Sequence, residues 1–292
     1  MPGVVLVHGY PKRFVADLRR LRPWPSLRGA LWRSPDLVRL TYGELARLVL
    51  ASIGPDLGKV LYVGPGLGHI ALELARAGHD VTGVEIDQGS LTMAARAAGS
   101  DPWRAGRGAL SYELGEFPTG FRDRGPYDRI LFCRVLHHIP DPAEAVDRAA
   151  DLLRPGGRVV CVEFAHDRMG RPEARWVSRA RRRLARSGWW PEPVADRLEV
   201  EADRLASEWR AQHEEEGLDP LAAMLDPLRR SFRLRPAIWH PYLFWELAAD
   251  MRVPPDQEGS VARRLRNSEA SMLRRSRLRG VLFSTWGTLR DR

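Results

Sequence analysis

The sequence predicts an α/β fold built on a doubly wound, mostly parallel sheet, with an N-terminal helical lid and a helical insertion in its C-terminal half. Three observations predict it. Between Lys59 and Phe164, short β-branched runs alternate with segments of helical period, as strands joined by crossover helices do. Glycines 64, 66 and 68 stand where the first of these strands passes into its helix. An acidic residue, Glu85, closes the next strand roughly twenty positions later, the spacing at which a carboxylate meets a ribose.

The chain has 292 residues, 44% of them hydrophobic, enough to bury a large core and to carry a cap beside an α/β domain. The opening stretch MPGVVLVHGYPKRF has too short an apolar run for a signal peptide or a bilayer span. No other window offers an unbroken spanning run, so a cytoplasmic location is expected. Cys133 and Cys161 both fall inside predicted strands, without metal-ligand or disulfide spacing. They read as buried thiols in a reducing compartment, and no metal site is expected. The formal charge is +9, almost all of it arginine, since Lys12 and Lys59 are the only lysines. The cations are spread along the chain rather than confined to one stripe, which argues against nucleic acid as a partner.

In chain order, residues 1–57 read as helical segments punctuated by Pro11, Pro23, Pro25 and Pro35, with LTYGELARLVLASI (40–53) the clearest amphipathic helix. Residues 58–168 form the expected core: KVLYVG, HIALELARAG, DVTGVEID, GSLTMAARAAG, ALSYEL, RILFCR, PAEAVDRAADLLRPGG and RVVCVEF alternate strand and helix. Residues 169–230 turn to long Arg-rich helical stretches, an insertion that covers the substrate. Residues 231–292 complete the core, with strands returning at SFRLRPAIW (231–239) and GVLFSTWGTLR (280–290).

The glycine loop follows the pattern G-x-G-x-G, whereas the dinucleotide pattern G-x-G-x-x-G requires glycine at position 69, which is His69. With KVLYVGPGLGHIALELARAGHDVTGVEID, SYELGEFP and YDRILFCRVLHHIPDPAEAVDRAADLLRPGGRVVCVEF in that order, residues 59–164 resemble the class I S-adenosylmethionine-dependent methyltransferases. The resemblance implies a Rossmann-like fold and S-adenosylmethionine as cofactor. It places Tyr62, Gly64, Pro65, Gly66 and Gly68 around the cofactor loop, and Glu85 at the ribose with Ile86 beside it. It further implies Glu113 at the adenine amino group with Leu114 packed on the ring, and Cys133, Arg134 and His138 along the cofactor at the end of the fourth strand. One position departs from the family: an acidic residue usually stands two before the first loop glycine, and here it is Tyr62.

Methyl transfer from a sulfonium needs alignment and exclusion of water, and a base only when the acceptor carries an acidic proton. His137 and His138, after the fourth strand, are the candidate bases, and His166, next to Asp167 after the fifth, is a second candidate. The expected acceptor is a small, partly apolar molecule, a specialised metabolite methylated at oxygen, nitrogen or carbon. A non-methylating enzyme on the same fold, such as a cyclase, and a nucleic-acid methyltransferase stand as alternatives. The stretch MGRPEARWVSRARRRLARSGWWPEPV interleaves Arg with Trp176, Trp189 and Trp190, a composition that stacks on planar groups, grips anions, settles at a membrane surface, or simply packs on the core with a solvated basic face.

Overall fold

The computed structural model describes residues 31–101, 107–122 and 125–290. The part of the expected lid that contains Pro11, Pro23 and Pro25 lies outside these residues.

Two helices come first, α1 (Pro35–Leu40), with proline in its first turn, and α2 (Tyr42–Ile53), which buries Tyr42, Leu45, Ala46, Val49 and Ile53. The alternating core follows: β1 (Lys59–Val63), α3 (His69–Arg76), β2 (Asp80–Glu85), α4 (Gln88–Gly99), β3 (Leu110–Leu114), β4 (Tyr127–Cys133), α5 (Pro142–Leu152) and β5 (Leu153–Phe164). The helical insertion is α6 (Arg171–Arg186), α7 (Leu198–Glu215) and α8 (Leu221–Ser231). The chain ends on β6 (Phe232–Leu234), β7 (Ile238–His240), α9 (Leu243–Asp250), α10 (Pro255–Arg274) and β8 (Leu282–Leu289).

The sheet runs β3-β2-β1-β4-β5-β8-β6, with β7 also paired to β8. Strands β1 to β5 are mutually parallel, and β8 enters antiparallel between β5 and β6. Both faces are covered, so the central strands are almost wholly buried, as parallel sheets require. Side chains alternate between two cores: Val60, Tyr62, Leu131, Cys133, Val160 and Val162 join the lid helices on one face. On the other, Leu61, Val63, Ile130, Phe132, Val159 and Cys161 pack with α5 and α8. The stretch 231–239 makes two short strands rather than one, because Pro236 between them has no N–H for the ladder.

Helix α9 is too short to hold itself together and is fastened at both ends by residues far away in sequence. The fully buried Glu269 of α10 accepts the N–H groups of Tyr242, Leu243 and Phe244 at 2.8, 2.9 and 2.9 Å. At the other end Arg33 donates to the carbonyls of Ala248 and Ala249 at 2.6 and 2.8 Å while pairing with Glu258 at 2.7 Å. Among the described residues no helix is long and apolar enough to cross a membrane.

Candidate cofactor and acceptor site

The site forms where the parallel strands end at their carboxyl edge, the place where open α/β sheets bind ligands. After β1 the chain turns through the glycine loop, and Gly64 donates to the carbonyl of Val84 at 2.9 Å. Glu85, at the end of β2, accepts the N–H of Gly66 on Oε2 at 2.8 Å and that of Asp87 on Oε1 at 3.0 Å. Each carboxylate oxygen keeps acceptor capacity, so the same group that pins the loop remains open to a ligand hydroxyl.

Two of the loop glycines do different jobs. Gly66 has φ +54, and a Cβ built on it meets no heavy atom within 4 Å, so its backbone faces an open cleft. Gly68 has φ +76 and caps α3, and its Cβ would press to 2.6 Å from that of Ala94. Gly66 therefore leaves a cradle for a ligand, and Gly68 lets α4 pack against the loop.

The cleft encloses about 610 Å³, within the range of small-molecule sites. Gly64, Gly66, Glu85, Ile86, Arg134 and His138 all line it. Glu113 and Leu114 do not; Gly115, Glu116 and Phe117 line it in their place. The reason is register. Leu114 pairs with Glu85 inside the sheet, and Gly115 donates to the carbonyl of Glu85 at 3.0 Å, so the chain clears the sheet edge only after Leu114. The lining residues follow the strand's end as a glycine, an acid and an aromatic.

Tyr62 is 3% exposed and sits in the lid-side core, and Cys133 is buried on the same face; neither lines the cleft. Pro65 and Gly68 also lie outside the lining, Pro65 buried within the turn. Arg134 carries a positive φ of 57°, uncommon for a residue with a Cβ. That twist turns its guanidinium toward the rings of Tyr242 and Trp245, with centroids at 5.5 and 5.4 Å. Its Nε is buried and has no hydrogen-bond acceptor. A buried guanidinium N–H without an acceptor on the wall of a cleft is a place for an anionic oxygen.

The histidine pair divides. His137 is buried and its Nδ1 lies 2.7 Å from Oε2 of Glu163, a fully buried carboxylate at the end of β5. The other oxygen of Glu163 accepts the N–H groups of Val135 and Leu136, both at 2.9 Å. Burial would raise the affinity of Glu163 for a proton, but His137 beside it and the two amides hold it below the ordinary carboxylate value. His138 is exposed, lines the cleft, and lies with its ring 4.3 Å from that of His137.

His166 does not reach the cleft lining. Its ring stacks on His213 of α7 at 5.4 Å and its carbonyl accepts Trp209 Nε1 at 3.0 Å. Burial lowers its proton affinity. Asp167 accepts the N–H of Leu221 at 3.0 Å, so this pair ties the insertion to the end of β5. Sequence reasoning passed over Glu163, although a charged residue inside the apolar run RVVCVEF is itself a signal of a paired or functional group.

A protein-family model described as a methyltransferase domain matches residues 37–220. A ubiquinone biosynthesis O-methyltransferase from Ralstonia nicotianae is 33% identical over 111 residues, 38% of this chain and 45% of that protein. One from Alkalilimnicola ehrlichii is 34% identical over 103 residues, 35% and 40% of the two chains. The match thus spans less than half the length of these curated relatives. Among solved structures, the N-methyltransferase NodS from Bradyrhizobium japonicum, in complex with S-adenosylhomocysteine, gives a TM-score of 0.50 at 13% identity, covering 94% of this chain and 97% of that one. An N-methyltransferase from Haemonchus contortus gives 0.56 at 14% identity, covering 97% and 61%. At these identities the likeness is one of fold.

Proposed function

The chain belongs to the methyltransferase-domain family, and from that premise we propose that it transfers the methyl group of S-adenosylmethionine to a small, partly apolar acceptor. The observation that carries this reading is the open cleft under Gly66, with the Glu85 carboxylate at one side and the orphaned Arg134 Nε at another. Those groups suit a nucleoside joined to an amino acid: Glu85 accepts the ribose hydroxyls, and Arg134 donates to the carboxylate of the methionine end. Ile86, 69% exposed on the cleft wall, and Phe117 flank the adenine, while Glu116 accepts its amino N–H. Bound there, S-adenosylmethionine supplies an activated methyl on a sulfonium.

What remains for the chain is alignment and, for a hydroxyl acceptor, removal of a proton. His138 is placed for the second task because it faces the cleft. His137 serves as a positioning residue, its ring and backbone locked by Glu163 so that the loop carrying His138 keeps one conformation. Residues 169–230, with α7 packed against the end of β5, serve as the acceptor's cover. We extend the reading to a cytoplasmic enzyme of specialised metabolism, supported by the helical enclosure, which suits a discrete small molecule better than a polymer.

Tyr62 favours a second reading. It leaves no acidic group at the position that normally meets the cofactor's amino group, which weakens the demand for methyl transfer and admits a rearrangement such as a cyclisation on the same scaffold.

The test is product analysis with isotopically labelled S-adenosylmethionine and an extract of small metabolites. The expected outcome is a metabolite heavier by the labelled methyl, with one equivalent of S-adenosylhomocysteine. With a hydroxyl acceptor, His138→Ala lowers turnover by about 10²–10⁴-fold at unchanged cofactor affinity. An isomeric product formed without cofactor consumption overturns methyl transfer and supports the second reading.

A further inference from the structure

A second cleft, of about 400 Å³, opens between α6 and α10, on elements that line no part of the cofactor cleft. Helix α9 packs against both of these helices from beneath and so spaces them apart. Each wall helix turns one stripe toward the gap. On α6 the stripe holds Trp176, Ala180 and Leu184, continued by Trp189; on α10 it holds Val261, Leu265 and Met272. At one end the walls are tied together, Trp176 Nε1 donating to Ser268 Oγ at 3.3 Å.

The same stripes carry three exposed arginines at the lip, Arg179 and Arg183 on α6 and Arg264 on α10. None of the three has an acidic partner among the described residues, although acids of α7 reach other arginines of the same helix. There, Arg171 and Arg175 pair with Glu199 at 3.3 and 2.9 Å, and Arg181 reaches Glu201 at 3.7 Å. The first turns of α6 are neutralised and the turns that follow along the same row are left positive, with Arg179 and Arg183 four residues apart, where like charges repel. Charge that is spread along the sequence is therefore gathered by the fold at this lip. Residues 1–30 carry six Lys or Arg against Asp17, so their charge is the wrong sign to match it.

We propose that this cleft is a binding site for an amphiphile with an apolar body and an anionic head, the body lying against Trp176, Trp189 and Leu265 and the head held by Arg179, Arg183 and Arg264. The concavity favours a discrete molecule over a flat bilayer, because the tryptophans line a recess instead of protruding from the surface. Three guanidinium groups lining one cleft suit phosphate, whose oxygens accept several charge-assisted hydrogen bonds at once. The inference stands apart from the methyl-transfer reading, since the cleft shares no lining residue with the cofactor site.

The experiment is calorimetric titration of the full chain with dodecyl phosphate below its micelle concentration, beside dodecanoate, inorganic phosphate, a neutral dodecyl maltoside, and phosphatidylglycerol vesicles. The expected result is saturable one-to-one binding of dodecyl phosphate that weakens with salt, with dodecanoate weaker, and inorganic phosphate and maltoside weaker by about tenfold or more. Arg179→Gln combined with Arg183→Gln reduces the affinity about tenfold or more and leaves S-adenosylhomocysteine binding unchanged. Arg171→Gln with Arg175→Gln, which pair with Glu199 and do not line the cleft, leaves dodecyl phosphate affinity unchanged. An equal loss from both pairs, equal binding of the neutral maltoside, or binding to vesicles without binding of the monomeric amphiphile each overturns the proposal.

Discussion

The cofactor edge of the sheet and the helical cover above it are held by different means. At the edge, carboxylates at strand ends clasp the loops of the sheet: Glu85 grips Gly66 across 19 positions, and Glu163 grips the amides of Val135 and Leu136 across 28 and 27. In the cover, side chains instead hold the two ends of one short helix. Glu269 reaches back 25 to 27 positions to start α9, and Arg33 reaches across 215 and 216 positions to the carbonyls that end it. The edge is thus built by strand-end loops clasped by carboxylates, and the cover by a buried carboxyl group and a part-exposed arginine that satisfy the ends of a helix too short to stand alone. It follows that damage at the edge should cost ligand binding, and damage in the cover should cost the fold.

The largest expected effect lies in the cover. Glu269→Ala leaves three buried N–H groups without their acceptor, a loss of about 3–5 kcal/mol of folding stability. Denaturant titration followed by circular dichroism measures it. A loss below about 1 kcal/mol would mean that α9 is held by its apolar packing alone, and the comparison would fail on that side.

At the edge, Glu85→Ala should reduce S-adenosylhomocysteine affinity by roughly 1.5–3 kcal/mol, read by calorimetry, because a charged acceptor for two hydroxyls is removed. The melting temperature should move far less than it does for Glu269→Ala. If the two variants destabilise the fold alike, Glu85 is chiefly the clasp of the glycine loop and its ligand role is secondary.

What was legible in the sequence divides along the same line. The alternation of strand and helix in the core, the glycine turn and the place of Glu85 at the end of β2 could be read because period, turn chemistry and a spacing of some twenty residues are local properties. Glu116 and Phe117 line the cleft three positions beyond Glu113 and Leu114, since the position where β3 leaves the sheet depends on its pairing with β2. Glu163 was missed because its partners, the amides of Val135 and Leu136 and the ring of His137, belong to another strand's loop. Arg33 and Glu269 carry no local sign of their task, as capping preferences concern the few residues beside a helix end.

The smallest effect is a pH dependence. His240, on β7, is held by burial down to about 4, with Nε2 2.8 Å from Ser284 Oγ. Its ordinary value is about 6.5, so the unfolded chain takes up a proton that the folded chain refuses. Stability from this group is present above pH 6.5 and is lost as pH falls toward 4, by about 1–2 kcal/mol for a half-buried side chain. Unfolding free energies at pH 7.5 and 5 should differ by that much more in the wild type than in His240→Gln. Equal slopes would place the acid sensitivity of the cover elsewhere.

The antiparallel insertion of β8 has a consequence for the order of events during synthesis. On a ribosome the whole alternating core, β1 to β5, emerges long before residues 282–289 exist. Until then β5 is an open edge, with the backbone of Val159–Phe164 lacking the partner that β8 later provides and β6 lacking any neighbour in the sheet. The nascent chain must therefore keep a mostly apolar strand edge, interrupted by Glu163, unpaired while more than a hundred residues are added. β8 then closes that edge and gives β6 and β7 their pairing, so three strands of the sheet depend on the last segment to be made.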